Sequence, residues 1–131
     1  MWGTFQKLLD TVKVSLRLRG YRHQLLSSNI ANVDTPGYRR KDIPFERVMQ
    51  KYFNFEKSLK TTQKRHIASR ERTLEEIIKS HQPYTLGTPN NISLEEELGY
   101  LTENQLLFES TLQALGKELE RLKEIITEGG R

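Results

Sequence analysis

Only three residues in this chain have imidazole chemistry, His23, His66 and His81, and there is no cysteine among its 131 residues. A zinc or similar site needs three or four ligands closely spaced, such as His-x-x-x-His on one helix face or paired cysteines. No such spacing occurs, so the three histidines read as surface or packing residues. Disulfides and thiolate ligands are excluded outright. Glu95, Glu96 and Glu97 form a carboxylate run. Acid–base chemistry needs two carboxyls in contrasting environments, whereas three adjacent acids ahead of an apolar stripe complement a helix N-terminus. The serines lack a nucleophile elbow, and no glycine-rich phosphate loop is present. The sequence predicts no catalytic residue, no metal, no cofactor and no small-molecule substrate.

The basic side chains form three clusters: Arg17, Arg19 and Arg22; Arg39, Arg40 and Lys41; Lys60, Lys64 and Arg65. Such clusters can hold phosphates. One reading is therefore a helical nucleic-acid-binding or membrane-surface adaptor module that uses the basic N-terminal half. No interleaved aromatics and no recognition-helix pattern accompany the clusters. The charge is also divided: residues 1–72 sum to +10 and residues 73–131 to −6, within a net charge of +4. A chain with one basic and one acidic half is suited to pairing with itself or with relatives, so the expected partners are proteins and not nucleic acid.

Two long helices must position these residues. Leu94, Leu98, Leu101, Gln105, Phe108, Leu112, Leu115, Leu119, Leu122 and Ile126 alternate spacings of four and three. This is a heptad seam, with Gln105 as its register-setting polar position. Ser93 with Glu96 forms a capping box, and Gly129-Gly130 ends the helix. The other helix covers residues 4–32. Phe5, Leu9, Val12 and Leu16 share one stripe, and Leu18, Tyr21, Leu25 and Ser28 share another, displaced around the axis near Gly20, where the helix is expected to loosen. A face that shifts touches more than one partner. Residues 1–33 carry five basic side chains against Asp10, while residues 94–128 carry nine glutamates against Lys117, Arg121 and Lys123. Antiparallel pairing of the two ends follows. With 35% hydrophobic and 29% charged residues, exposed helices are expected and not a single large core.

The fold class is thus mainly α, in three regions: 1–38, helix plus turn; 39–92, a short irregular and partly helical middle; 93–131, the heptad helix. Within the middle, Pro44 opens a helix through about Phe55. Residues 59–70 read as loop, Thr73–Lys79 as a short helix, and Pro83–Asn91 as turn-rich. There is no run of apolar residues long enough to span a bilayer and no secretory leader. Export, if it occurs, is expected to use no cleaved signal.

The first helix ends in Ser28-Asn29-Ile30-Ala31-Asn32-Val33-Asp34-Thr35-Pro36-Gly37-Tyr38. Asn29 and Asn32 are expected to cap the last carbonyls. Thr35 before proline leaves the helical region, and Pro36-Gly37 suits the centre of a type II turn with Gly37 at positive φ. Tyr38 can then pack back on the helix end. This segment resembles the N-terminal signature of the flagellar axial proteins, the rod and hook family: an Ala-Asn pair, a spacer, Thr-Pro-Gly-Tyr and a basic residue. Ala31, Asn32, Thr35, Pro36, Gly37, Tyr38 and Arg39 match it. Asn90-Asn91-Ile92-Ser93-Leu94-Glu95-Glu96-Glu97 and Thr102-Glu103-Asn104-Gln105-Leu106, with the short total length, are similar to the proximal-rod branch. Gly87-Thr88-Pro89 departs from that pattern.

The resemblance implies a structural subunit whose terminal helices pair and pack into the inner tube of the rod. It implies copies of itself and other rod subunits as partners, with inner-membrane ring or rod-adaptor proteins. It also implies passage through the flagellar type III export apparatus to a periplasmic position in the basal body.

Overall fold

A computed structural model describes residues 2–58, 83–87 and 92–129. The expectations for 59–82, including Lys60, Lys64, Arg65, His66, the helix at Thr73–Lys79 and His81, lie outside the described residues, as does the 88–91 part of the turn-rich segment.

Helix α1 spans Trp2–Ala31, 30 residues, and runs unbroken through Gly20, where loosening was expected. A helix-interior glycine costs about 0.5–1 kcal/mol against alanine. Leu18 and Tyr21 on either side are held in the core, and that packing outweighs the cost. The helix stops at Asn32, whose backbone N–H and side-chain Nδ2 both return to the Ser28 carbonyl, at 3.2 and 2.8 Å. Tyr38 N then donates to the Thr35 carbonyl at 3.2 Å, with Gly37 at φ 77°, closing the turn.

Strand β1 (Arg40–Asp42) follows, then helix α2 (Phe45–Ser58). Pro44 sits one residue outside α2, and its carbonyl accepts from Val48 N at 3.0 Å. The core is where α2 meets the middle of α1: Val14, Leu18, Ile43, Val48 and Met49, with Tyr21, Leu25, Phe45 and Tyr52 packed against them. Each fully buried aliphatic side chain here contributes about 1.5–3 kcal/mol. The displaced second stripe of α1, Leu18, Tyr21 and Leu25, therefore serves α2.

Strand β2 (Tyr84–Leu86) pairs antiparallel with β1, in the register Arg40↔Leu86, Lys41↔Thr85, Asp42↔Tyr84. The sequence reading placed turn and loop here, not strands. Three-residue strands carry no readable alternation, and a two-stranded ribbon is marginal by itself. It persists because α1 secures β1, as described below.

Helix α3 (Leu94–Glu128, 35 residues) lies antiparallel to α1, the predicted arrangement. Asn29 meets Glu97, the Arg19 carbonyl meets Asn104, and Phe5 shares a groove with Leu122 and Ile126. The capping box is half made. Ser93 Oγ accepts from Glu96 N, but it donates to Glu95 Oε2 at 3.0 Å, so Glu95 completes the cap. Gly129 N closes the other end on the Ile125 carbonyl at 2.9 Å, with right-handed φ.

The seam of α3 needs a correction. The residues withdrawn from solvent are Glu97, Leu101, Asn104, Phe108, Thr111, Leu115, Glu118 and Leu122, again spaced four and three. Leu94, Leu98, Gln105, Leu112, Leu119 and Ile126 are exposed. The helix is rolled by about one position, because Glu97 and Asn104 have hydrogen-bond partners in the region of α1 and take its central line. Gln105 is not the register position: it faces out and donates to Glu109 on its own helix, at 2.9 Å.

Candidate assembly surface

Asn29 is the centre of a buried polar node. It lies on the last turn of α1 and is fully enclosed. Its amide meets the Lys41 backbone as a neighbouring strand would: Nδ2 donates to the Lys41 carbonyl at 2.8 Å, and Lys41 N donates to Oδ1 at 3.0 Å. Nδ2 also donates to Glu97 Oε2 at 2.9 Å, and Tyr38 OH donates to Oδ1 at 3.1 Å. Both donors and both acceptor positions of the side chain are used, so burying this amide leaves nothing unpaired. The helix-capping role expected of Asn29 falls to Asn32 alone.

Glu97 is 1% exposed, and its second oxygen accepts from Arg40 Nε. Arg40 Nη2 donates to Asp42 Oδ2 at 3.1 Å, and Arg22 donates to both Asp42 oxygens, at 3.0 and 3.2 Å. The Arg40 guanidinium lies 4.8 Å from the Tyr100 ring centre. Burial works against the Arg40 charge, but the hydrogen bond and charge of Glu97, with Asp42 and Tyr100, outweigh it and hold its pKa above the ordinary arginine value. A chain of paired charges thus joins α1, β1 and α3. It sets their register, because removing one member would strand a buried charge.

Two sequence readings change here. Glu97 is a buried acceptor and not only a complement to the helix dipole. Of the basic clusters, Arg22 and Arg40 are neutralised internally, while Arg17, Arg39 and Lys41 face solvent. The available signal was that Glu97 and Asn104 share a four-three phase with Leu101 and Phe108. A search for apolar positions passes over it.

The turn motif places Ala31, Thr35, Pro36 and Gly37 in solvent, with Asn32 and Tyr38 half-buried. Phe5, Leu9, Val12 and Leu16 are half-buried along α1, as are Leu101, Phe108, Leu115 and Leu122 on α3. The rest of the predicted seam is open. Leu94, Leu98, Leu112, Leu119 and Ile126, joined by Leu106, Leu107 and Ile125, leave much apolar side chain in water, 67% of Ile126 and 61% of Leu106. At the far end, Phe5, Leu119, Leu122, Ile125 and Ile126 line a groove of about 500 Å³. Isolated apolar side chains on a surface are ordinary, but a row along one helix marks an interaction face. Among the described residues there is no grouping of carboxylates and histidines able to hold a metal, and no helix long and apolar enough to cross a membrane.

Known proteins place this arrangement. A family model for flagella basal body rod proteins matches residues 25–39. The flagellar basal body rod protein FlgB of Aquifex aeolicus is 30% identical over 105 residues, 80% of this chain and 81% of the relative. FlgB of Yersinia enterocolitica is 30% identical over 125 residues, covering 88% and 90%. FlgB of Escherichia coli K12 is 30% identical over 126 residues, covering 88% and 89%. The chain belongs to the FlgB family of flagellar basal body rod proteins. The stretch matched by the rod-family model runs from the last two turns of α1 through Asn29, the turn and Tyr38 to the start of β1. That stretch supplies Asn29 and Tyr38 to the polar node, whose other members, Arg22, Arg40, Lys41, Asp42 and Glu97, lie outside it. Nothing in this similarity favours the nucleic-acid reading.

Proposed function

We propose that the chain is a structural subunit of the flagellar basal-body rod, of the proximal type, and that it works by helix packing and not by catalysis. The observation that carries this is the contrast between its two faces. The α1–β1–α3 junction is locked by paired charges, while α3 turns a row of leucines and isoleucines to solvent. A chain of this family with such a face is half of an interface.

In this reading the exposed residues of α3 pack against other rod subunits and copies of the chain. Residues 1–38 and 93–131 form the assembly core, and the turn at Thr35–Tyr38 sets the direction in which the middle leaves it. Inner-membrane ring or rod-adaptor proteins lie at its base. Passage through the flagellar type III apparatus, without a cleaved signal, brings it to the periplasmic part of the basal body.

The test is deletion of the gene, with swimming assayed and purified basal bodies imaged. The expected result is loss of motility and basal bodies with inner-membrane rings but no rod. Normal rods and normal swimming would sink the reading.

A further inference from the structure

Three arginines lie close together where α1 meets β1 and α3, and one differs from the others. Arg22 and Arg40 each hold a carboxylate. Arg19 forms no ion pair among the described residues, and its Nε is enclosed without an acceptor. Its guanidinium lies over the Phe45 ring, 4.2 Å from the centre. Burial, and then Arg22, push its pKa down, against a smaller opposing effect of Glu103. In front of it opens a cleft of about 430 Å³ with Ile43, Pro44 and Leu107 in its walls. Glu103 offsets the Arg19 charge only in part; a half-buried guanidinium whose Nε has no acceptor among the described residues is costly, and a carboxylate arriving from outside would relieve it.

We propose that this cleft receives a glutamate from α3 of a second copy of the chain, its carboxylate meeting Arg19 and its methylenes lying along the apolar wall. The rim already carries Asp42, Glu46 and Glu103, with Arg22 and Arg47. A doubly charged phosphate would meet about twice the repulsion from these three acids that a single carboxylate meets, and a carboxylate on an apolar stem also suits the walls. Helix α3 is the richest source of such groups, with nine glutamates against three basic residues. Glu109, Glu120, Glu124 and Glu128 are exposed on the part of α3 that also exposes its apolar row. The proposal rests on the rod-subunit reading and adds to it one charged contact between copies.

The test uses the full-length chain. Sedimentation across a range of concentrations should show self-association of the unaltered chain. R19Q should weaken it about tenfold, the loss of roughly one charged contact, with helicity and melting unchanged, and R19K should largely restore it. Nitrogen-15-labelled and unlabelled R19K copies are then mixed and treated with a carbodiimide, which joins an amine to a carboxylate it touches. Peptides linking position 19 of one isotope to an α3 glutamate of the other are expected. A chain that stays monomeric, an R19Q variant that associates like the unaltered chain, or links only within one isotope would overturn the pairing. None of these bears on the rod-subunit reading, which stands or falls with the deletion strain.

Discussion

Replacing Asn29 with alanine removes four hydrogen bonds from one buried point. The Lys41 N–H and carbonyl lose their partner on that edge of β1. Each such bond has a net worth of about 1 kcal/mol. Glu97 keeps Arg40 but loses the donor to its other oxygen while remaining 1% exposed. A bond to a buried charge is worth about 1.5–3 kcal/mol. Tyr38 OH keeps its contact with Ser28 and loses least. The expected loss is about 4 kcal/mol, a large share of the 5–15 kcal/mol typical of a domain. For a chain of this size, that moves a urea midpoint down by about 2 M. The assay is urea unfolding followed by helix circular dichroism at 222 nm. N32A, which removes two exposed local hydrogen bonds at the same turn, to the Ser28 carbonyl and from the Thr35 hydroxyl, serves as the control, with a loss of about 1 kcal/mol. If N29A and N32A unfold at the same urea concentration, the node does not hold the helices together.

Three further outcomes follow from the same geometry. Gly37 has φ 77°, and a Cβ there meets nothing within 4 Å, so G37V brings backbone strain of about 1–3 kcal/mol; rod assembly and swimming should fail while helicity stays nearly intact, and a swimming G37V strain would refute this. A methyl added at Gly20 meets nothing within 4 Å, so G20A should raise stability by about 0.5–1 kcal/mol, read as a higher melting temperature. The Glu95 carboxyl lies below the ordinary glutamate pKa because its own backbone N–H and then the Ser93 hydroxyl donate to it. Such a group stabilises the fold above its unfolded pKa and ceases to do so as pH falls through the lower folded value; acid titration of helicity should be less steep in E95Q, and identical curves would count against the cap.

Periodicity was enough for the long helices, because each carries an apolar stripe over many turns. Their antiparallel pairing was also legible, from the division of charge between Arg17, Arg19 and Arg22 at one end and nine glutamates at the other. The roll of α3 was not. Hydropathy ranks Leu98 and Leu112 as interior and Glu97 and Asn104 as exterior, yet the polar pair is buried because particular partners await it. Such partners exist only once the chain is folded. Strand β1 escaped notice for a related reason: Arg40-Lys41-Asp42 looks like solvated charge, and its role depends on Tyr84–Leu86, more than 40 positions away. For the candidate surface, the turn motif was readable as local backbone chemistry, and the seam was found with its two sides mixed.

The hydrogen bond from Asn104 to the Arg19 carbonyl, 3.0 Å long, is the last directional fastening described between α1 and α3. From there α3 continues 24 residues to Glu128, about 36 Å at 1.5 Å per residue. Over that length the described contact with α1 is the groove that Phe5 shares with Leu119, Leu122 and Ile126, and apolar contact resists separation far more than it resists sliding or roll. The helix is in effect a cantilever, clamped at one end. A tilt of about 5° at the clamp displaces the tip by about 3 Å. A subunit built this way can be identical in every copy at its base and still seat its tip against neighbours that differ in position from one copy to the next.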